Sequence, residues 1–95
     1  MTQDIIRKYY LFTGHVQGVG FRWHACNLAR KYQLSGRVKN LCDGKVEAEV
    51  QGKESNIRDW LSGIYQDRYI QIEDIQVRDL PLVENEREFR VDTGW

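Results

Sequence analysis

The run Gly14-His15-Val16-Gln17-Gly18-Val19-Gly20-Phe21-Arg22 lies where an extended segment gives way to a helical periodicity, and it constrains this chain more than any other stretch. Glycines permit backbone conformations closed to other residues and let the main chain approach a ligand closely, so successive N–H groups can converge on one point. The helix that follows adds its own unpaired N–H groups and the positive end of its dipole. Arg22 then supplies a planar, permanently charged fork that matches phosphate oxygens. The run reads as an anion cradle, although its spacing alone fits a tight strand-to-helix connection equally well.

Two common nucleotide loops are excluded. A Walker loop needs Lys-Ser or Lys-Thr after its last glycine, whereas here Gly20 leads to Phe21 and Arg22. The dinucleotide fingerprint needs a glycine three positions after Gly20, where Trp23 stands, and a chain long enough for a doubly wound sheet.

A second constellation follows in Gly36-Arg37-Val38-Lys39-Asn40-Leu41-Cys42-Asp43-Gly44-Lys45-Val46-Glu47. Asp43-Gly44 between two strand-like runs predicts a two-residue hairpin turn with positive φ at both positions. Beyond it Val46, Ala48 and Val50 alternate with Glu47, Glu49 and Gln51, the pattern of a strand with one dry and one wet face. On the incoming strand Val38 and Asn40 share a face. An amide there can simply cap the turn, or, beside a phosphate loop, it can hold a water molecule ready for attack.

Together these segments resemble the acylphosphatase family. The resemblance rests on Gly14, Val16-Gln17-Gly18-Val19-Gly20-Phe21-Arg22, Gly36, Val38, Asn40, Asp43-Gly44, Val46, Glu47 and Gly52, two motifs that agree in content, order and spacing. It implies hydrolysis of an acyl phosphate to a carboxylate and inorganic phosphate, without a cofactor, a metal or a covalent intermediate. Main-chain amides of His15, Val16, Gln17, Gly18, Val19, Gly20 and Phe21, with the Arg22 fork, are then expected to hold the phosphate. Asn40 is expected to hold the attacking water, so Arg22 and Asn40 are the expected catalytic residues. The expected partner is a small-molecule acyl phosphate, with phosphate and other oxyanions as inhibitors.

Composition sets outer bounds. Ninety-five residues with 41% hydrophobic content suit one domain over 1–95 and a modest core. Met1 to Arg7 lacks the apolar stretch of a secretory signal, and no apolar run approaches the ~20 residues of a membrane span. The expectation is a cytoplasmic, monomeric protein that binds neither membrane nor nucleic acid. Cys26 and Cys42 lack metal-ligand spacing and read as two buried or partly buried thiols. The formal net charge is zero but uneven: residues 1–45 carry eight Lys or Arg and two Asp, whereas residues 46–95 carry six Lys or Arg and twelve Asp or Glu. Such a field draws anions toward the cradle. Arg7, Lys8, Arg30, Lys31 and Arg37 are expected only to solvate the surface.

Periodicity predicts strands over 5–13, 36–42 and 45–51 and a helix over 21–33 that buries Phe21, Ala25, Leu28, Ala29 and Tyr32. A second helix carries Ile57, Trp60, Leu61 and Ile64 on one stripe, with Gly63 as its stop. Two further strands contain Ile75 and Val77, then Phe89 and Val91, with Pro81 in the loop between them. This βαββαβ order plus a C-terminal edge strand predicts an α+β, ferredoxin-like split βαβ sandwich: an antiparallel sheet with two helices on one face. Right-handed crossovers place the first and third strands side by side.

Other functions share that fold. An RNA-recognition module would need aromatic residues on its third strand, and Lys45 to Gln51 has none. A non-catalytic anion sensor, or the acylphosphatase-like segment of a larger hydrogenase-maturation protein, would use the same cradle; a chain ending at Trp95 favours a free-standing enzyme. His15 and His24 are the only candidates for a phosphohistidine intermediate, and neither is expected to be catalytic.

Overall fold

Val46, Ala48 and Val50 are fully buried while Glu47, Glu49 and Gln51 alternate with them on the wetter face, so this strand holds two layers in register. The computed structural model describes residues 4–93. In chain order it contains β1 (Ile5–His15), α1 (Phe21–Lys31), β2 (Ser35–Asn40), β3 (Val46–Lys53), α2 (Glu54–Tyr65), β4 (Gln71–Leu80) and β5 (Phe89–Val91). The strands form one sheet in the order β4-β1-β3-β2-β5. Adjacent β1 and β3 bear out the crossover argument, and the architecture is the expected ferredoxin-like α+β sandwich.

One edge departs from the expected all-antiparallel sheet. β5 runs parallel to β2, pairing Gly36 with Phe89 and Val38 with Val91. The cause is the 81–88 connection, which passes over the helix-free face and re-enters the sheet beside β2 in the same direction. Gln51 ties it down: its amide donates to the Val83 carbonyl at 3.0 Å and accepts from the Val83 N–H at 2.9 Å. Arg7 adds a bond to Glu86 at 2.7 Å.

The helices cover the other face. Trp60 of α2 is fully buried among Tyr10, Phe12 and Phe89, and its indole N–H donates to the Ala25 carbonyl of α1 at 2.9 Å. A buried indole left unpaired would be costly, so this bond also fixes the two helices against each other. Gly63 does not stop α2, which continues to Tyr65. It serves helix contact instead, because a Cβ there would stand 2.8 Å from Leu28 Cδ2. Leu28 and Tyr32 are half-buried rather than fully enclosed, and Cys26 takes a buried place that the stripe did not assign.

Helix α1 ends earlier than 33, for a reason the composition hides. Gln33 adopts the left-handed conformation at φ 57, its N–H donating to Arg30 O, while Leu34 N–H donates to Ala29 O at 2.8 Å. These two bonds are the Schellman closure, with glutamine where glycine is usual. The hairpin also differs. Only Gly44 has positive φ (93), Gly44 N–H reaches Leu41 O, and Leu41 N–H reaches Lys45 O at 2.8 Å. This is a three-residue connection over 42–44 with glycine in the bulge position, not a two-residue turn. Its longer tip leaves Cys42 exposed, which corrects the expectation of a buried or partly buried thiol there.

Arg7 and Arg37 correct the reading of the basic residues as surface solvation. Arg7 is 4% exposed and donates to Glu49 and Glu86; Arg37 donates to Glu47 at 2.8 Å and to Glu49 at 2.7 Å. Burial opposes the Glu49 carboxylate, but hydrogen bonds from Arg37 and Arg7 outweigh it and hold its pKa below the ordinary value of 4.5. Glu86 is lowered in the same way, burial being outweighed by Arg7 and Ser35. Depressed folded-state values contribute stability that is present above the unfolded value and lost as pH falls through the folded ones. The melting temperature should therefore fall as pH drops below about 4.5. In a pH series of thermal melts Glu86→Gln should show a shallower fall.

Candidate active site

The cradle is made by two helix and strand ends that are anchored on either side. Val16 is fully buried and Phe21 is 2% exposed, its ring 4.9 Å from that of Phe12, so both ends of the loop are set in the core. Between them Gly18 and Gly20 take φ 75 and 79, with nothing within 4 Å of where a Cβ would stand. Backbone conformation, not crowding, requires glycine at these two places. Gly20 is the N-cap of α1, no side chain caps that terminus, and no acidic residue lies in its first turn. The positive helix end therefore faces the loop without an internal counter-charge.

Gln17 contributes differently from what the loop pattern suggested. Its side-chain amide donates to Leu41 O at 2.7 Å and to Lys45 O at 2.9 Å, the two carbonyls that flank the β2–β3 turn. One side chain thus ties the glycine loop to the hairpin that carries Asn40.

Arg22, Asn40 and Gln17 line a shared cleft of about 440 Å³ with Val16, Gly18 and Phe21, and all three also border an adjoining hollow that reaches Cys42 and Thr93. Gly20 is in the same lining. His15 and Val19 are not: His15 is the exposed last residue of β1, paired with Gln71, and Val19 packs against the core. Among the described residues Arg22 has no carboxylate within salt-bridge distance, whereas Arg7 and Arg37 are engaged by glutamates. Asn40 Oδ1 is buried and without a hydrogen-bond partner. A buried amide oxygen left unpaired is an uncommon cost, and at a cleft it marks a place for an external donor. His24 turns toward α2, its Nε2 3.2 Å from Gly63 O and 3.7 Å from Asp67. No cluster of three or more His, Cys, Asp or Glu able to hold a metal occurs among the described residues.

The acylphosphatase family profile matches residues 8–91. The chain belongs to the acylphosphatase family. It is an enzyme of that family and a hydrolase. An acylphosphatase of Clostridium acetobutylicum is 42% identical over 82% of this chain and 87% of its own length. Another from Clostridium beijerinckii is 39% identical over 92% and 98%. Among solved structures, acylphosphatase from Bacillus subtilis superimposes with a TM-score of 0.84 at 29% identity, covering 94% of this chain and 99% of that one. Full-length HypF in a phosphate- and nucleotide-bound form matches with a TM-score of 0.85 at 32% identity, over 98% of this chain but 12% of HypF.

Sequence reasoning missed several residues of this acylphosphatase cleft. Trp23, Cys26, Asn27, Arg30 and Val91 line it as well. Arg22, Cys26 and Arg30 recur at i, i+4 and i+8 on α1, a signal that helical spacing could have supplied. Val91 arrives through the parallel pairing of β5, which no local pattern encodes. Burial raises the Cys26 thiol above its ordinary pKa, keeping it neutral beside the cleft.

Gln17→Ala removes both bonds and leaves Leu41 O and Lys45 O with only their backbone donors, the N–H groups of Gly44 and Leu41. The expected loss is about 1–2 kcal/mol of unfolding free energy, read from urea denaturation.

Proposed function

We propose that this acylphosphatase cleaves acyl phosphates by direct in-line attack of water on phosphorus, held by the glycine loop, Arg22 and Asn40. The reading rests above all on one observation: among the described residues, an arginine without an ion-pair partner and a helix N-terminus without a side-chain cap border the same cleft as a buried amide oxygen without a hydrogen-bond partner. The terminal phosphate sits in the loop, with main-chain N–H groups from the 16–21 stretch on its oxygens and the Arg22 fork on two of them. Asn40 Oδ1 accepts a hydrogen bond from the water and aims its oxygen at phosphorus, opposite the leaving carboxylate. The P–O bond to the acyl oxygen breaks as the new P–O bond forms. One water proton passes to a phosphate oxygen, so the products are a carboxylate and dihydrogen phosphate.

Few groups suffice because phosphoryl transfer depends mainly on position and on stabilising charge at the equatorial oxygens. The leaving carboxylate, whose conjugate acid has a pKa of about 4, departs without a general acid. The carboxamide of Asn40 is not a base near neutrality, which is why the proton is assigned to the substrate. We read the reaction as independent of metal and of a phosphohistidine, and the enzyme as a monomer. Inorganic phosphate and other oxyanions fit the cradle and would compete with substrate.

The RNA-binding alternative finds little support. Tyr10 and Phe12 are in the core, and the helix-free face presents Arg7, Arg37, Glu47 and Glu49 already paired with one another.

Hydrolysis of benzoyl phosphate in the presence of EDTA is the direct test, with an unchanged rate expected on chelation. Arg22→Ala should lower kcat/KM by a factor on the order of a hundred or more, corresponding to about 3 kcal/mol, and Arg22→Lys should restore only part of it. Asn40→Ala should lower kcat with KM little changed; an effect confined to KM would assign Asn40 to binding. An Arg22→Ala enzyme with full activity would reject the scheme.

A further inference from the structure

The cleft extends beyond the groups that the phosphate needs. From Arg22 it runs along α1 past Cys26 and Asn27 to Arg30, with Trp23 at its rim. Arg22 and Arg30 are eight residues apart in this helix, which places their Cα atoms about 12 Å apart along the axis. Helical side chains lean toward the N-terminus, so the Arg30 guanidinium can reach back toward the phosphate over roughly half that distance.

Arg30 shares with Arg22, on the same helix, the want of a carboxylate partner among the described residues. Arg7, Arg37 and Arg90 each have a carboxylate within 4.0 Å, whereas among the described residues none lies within that distance of Arg30. Among the described residues no acidic side chain lines the cleft that Arg22 and Arg30 both border; Asp92 borders only the hollow that adjoins it at Arg22 and Asn40. Asn27, one turn before Arg30, adds a half-buried amide to the same lining. A pocket of about 440 Å³ holds more than a phosphoryl group and an acetyl group.

We propose that Arg30 is a specificity-determining residue that binds an anionic group at the far end of the acyl portion, so that this enzyme favours acyl phosphates whose acyl chain ends in a carboxylate or a second phosphate. This rests on the reading of the glycine loop and Arg22 as the phosphate site. The fit is geometric: a four-carbon dicarboxylic chain joined to phosphate as a mixed anhydride spreads its two anions over roughly 6–7 Å by ordinary backbone-like bond lengths, comparable with the reach just derived. Trp23 would lie along that chain as an apolar wall.

The test compares monosuccinyl phosphate with acetyl phosphate. The wild type should show a higher kcat/KM for the succinyl compound, carried mainly by KM, and the preference should shrink as salt is raised. Arg30→Gln should lower the ratio of kcat/KM for succinyl over acetyl phosphate by about tenfold, and Arg30→Lys should keep part of it. Arg30→Glu should push the ratio below that of Arg30→Gln. An unchanged ratio in Arg30→Gln and Arg30→Glu, with circular dichroism showing both folded, would overturn the proposal while leaving the phosphate site intact. A wild type that hydrolyses neither compound would instead overturn the underlying reading.

Discussion

Two hydrogen bonds from the Gln17 amide, to Leu41 O and Lys45 O, connect everything that matters at the site. The loop 16–20 belongs to the β1–α1 passage and Asn40 to the end of β2, segments that the sheet order separates by a whole strand, β3. Without that bridge the nest and the carboxamide would be held only through their separate strands. With it, the tip of the hairpin becomes part of the cradle wall. The core supports the arrangement from behind, since Val16 and Phe21 fasten both ends of the loop and Trp60 joins the helices.

Arginine does two unlike tasks in this molecule, and the difference is one of partners rather than residue type. Arg7 and Arg37 lie on the helix-free face among Glu47, Glu49 and Glu86, where each guanidinium and carboxylate offsets the desolvation of the other. Arg22 lies on the opposite side of the sheet at an uncapped helix end, with no carboxylate in reach among the described residues. Burial with partners fixes structure, and placement at a cleft without them leaves binding capacity unspent.

Much of this was legible in the sequence because it is local. The alternation of Val46, Ala48 and Val50 fixed which side of β3 is dry, the stripe of Ile57, Trp60 and Ile64 fixed α2, and the two motifs carried the family. What was not legible depends on distant contacts. Arg7 reads as a surface cation until Glu86, far along the chain, folds over it. Gly63 reads as a stop until Leu28 of the other helix is seen to need its missing side chain. Gln33 hides a helix terminus because the usual glycine is absent. Gln17 looked like one more loop amide, and its use as a cross-brace requires knowing where the hairpin lies. Arg30 is exposed, in keeping with its reading as a solvated charge, and that it also borders the cleft follows from a helical spacing to Arg22 that the chain displays.

The parallel pairing of β5 with β2 carries a consequence for how the protein comes into being. Phe89 joins Gly36 across more than fifty intervening positions, and the same short strand brings Val91 to the cleft wall. Loop closure of that span must precede any reward from the contact, which slows acquisition of the native topology. A nascent polypeptide emerging from the ribosome can therefore assemble its glycine loop, hairpin and first helix early, yet it has no finished catalytic pocket until this late-made strand has emerged and docked.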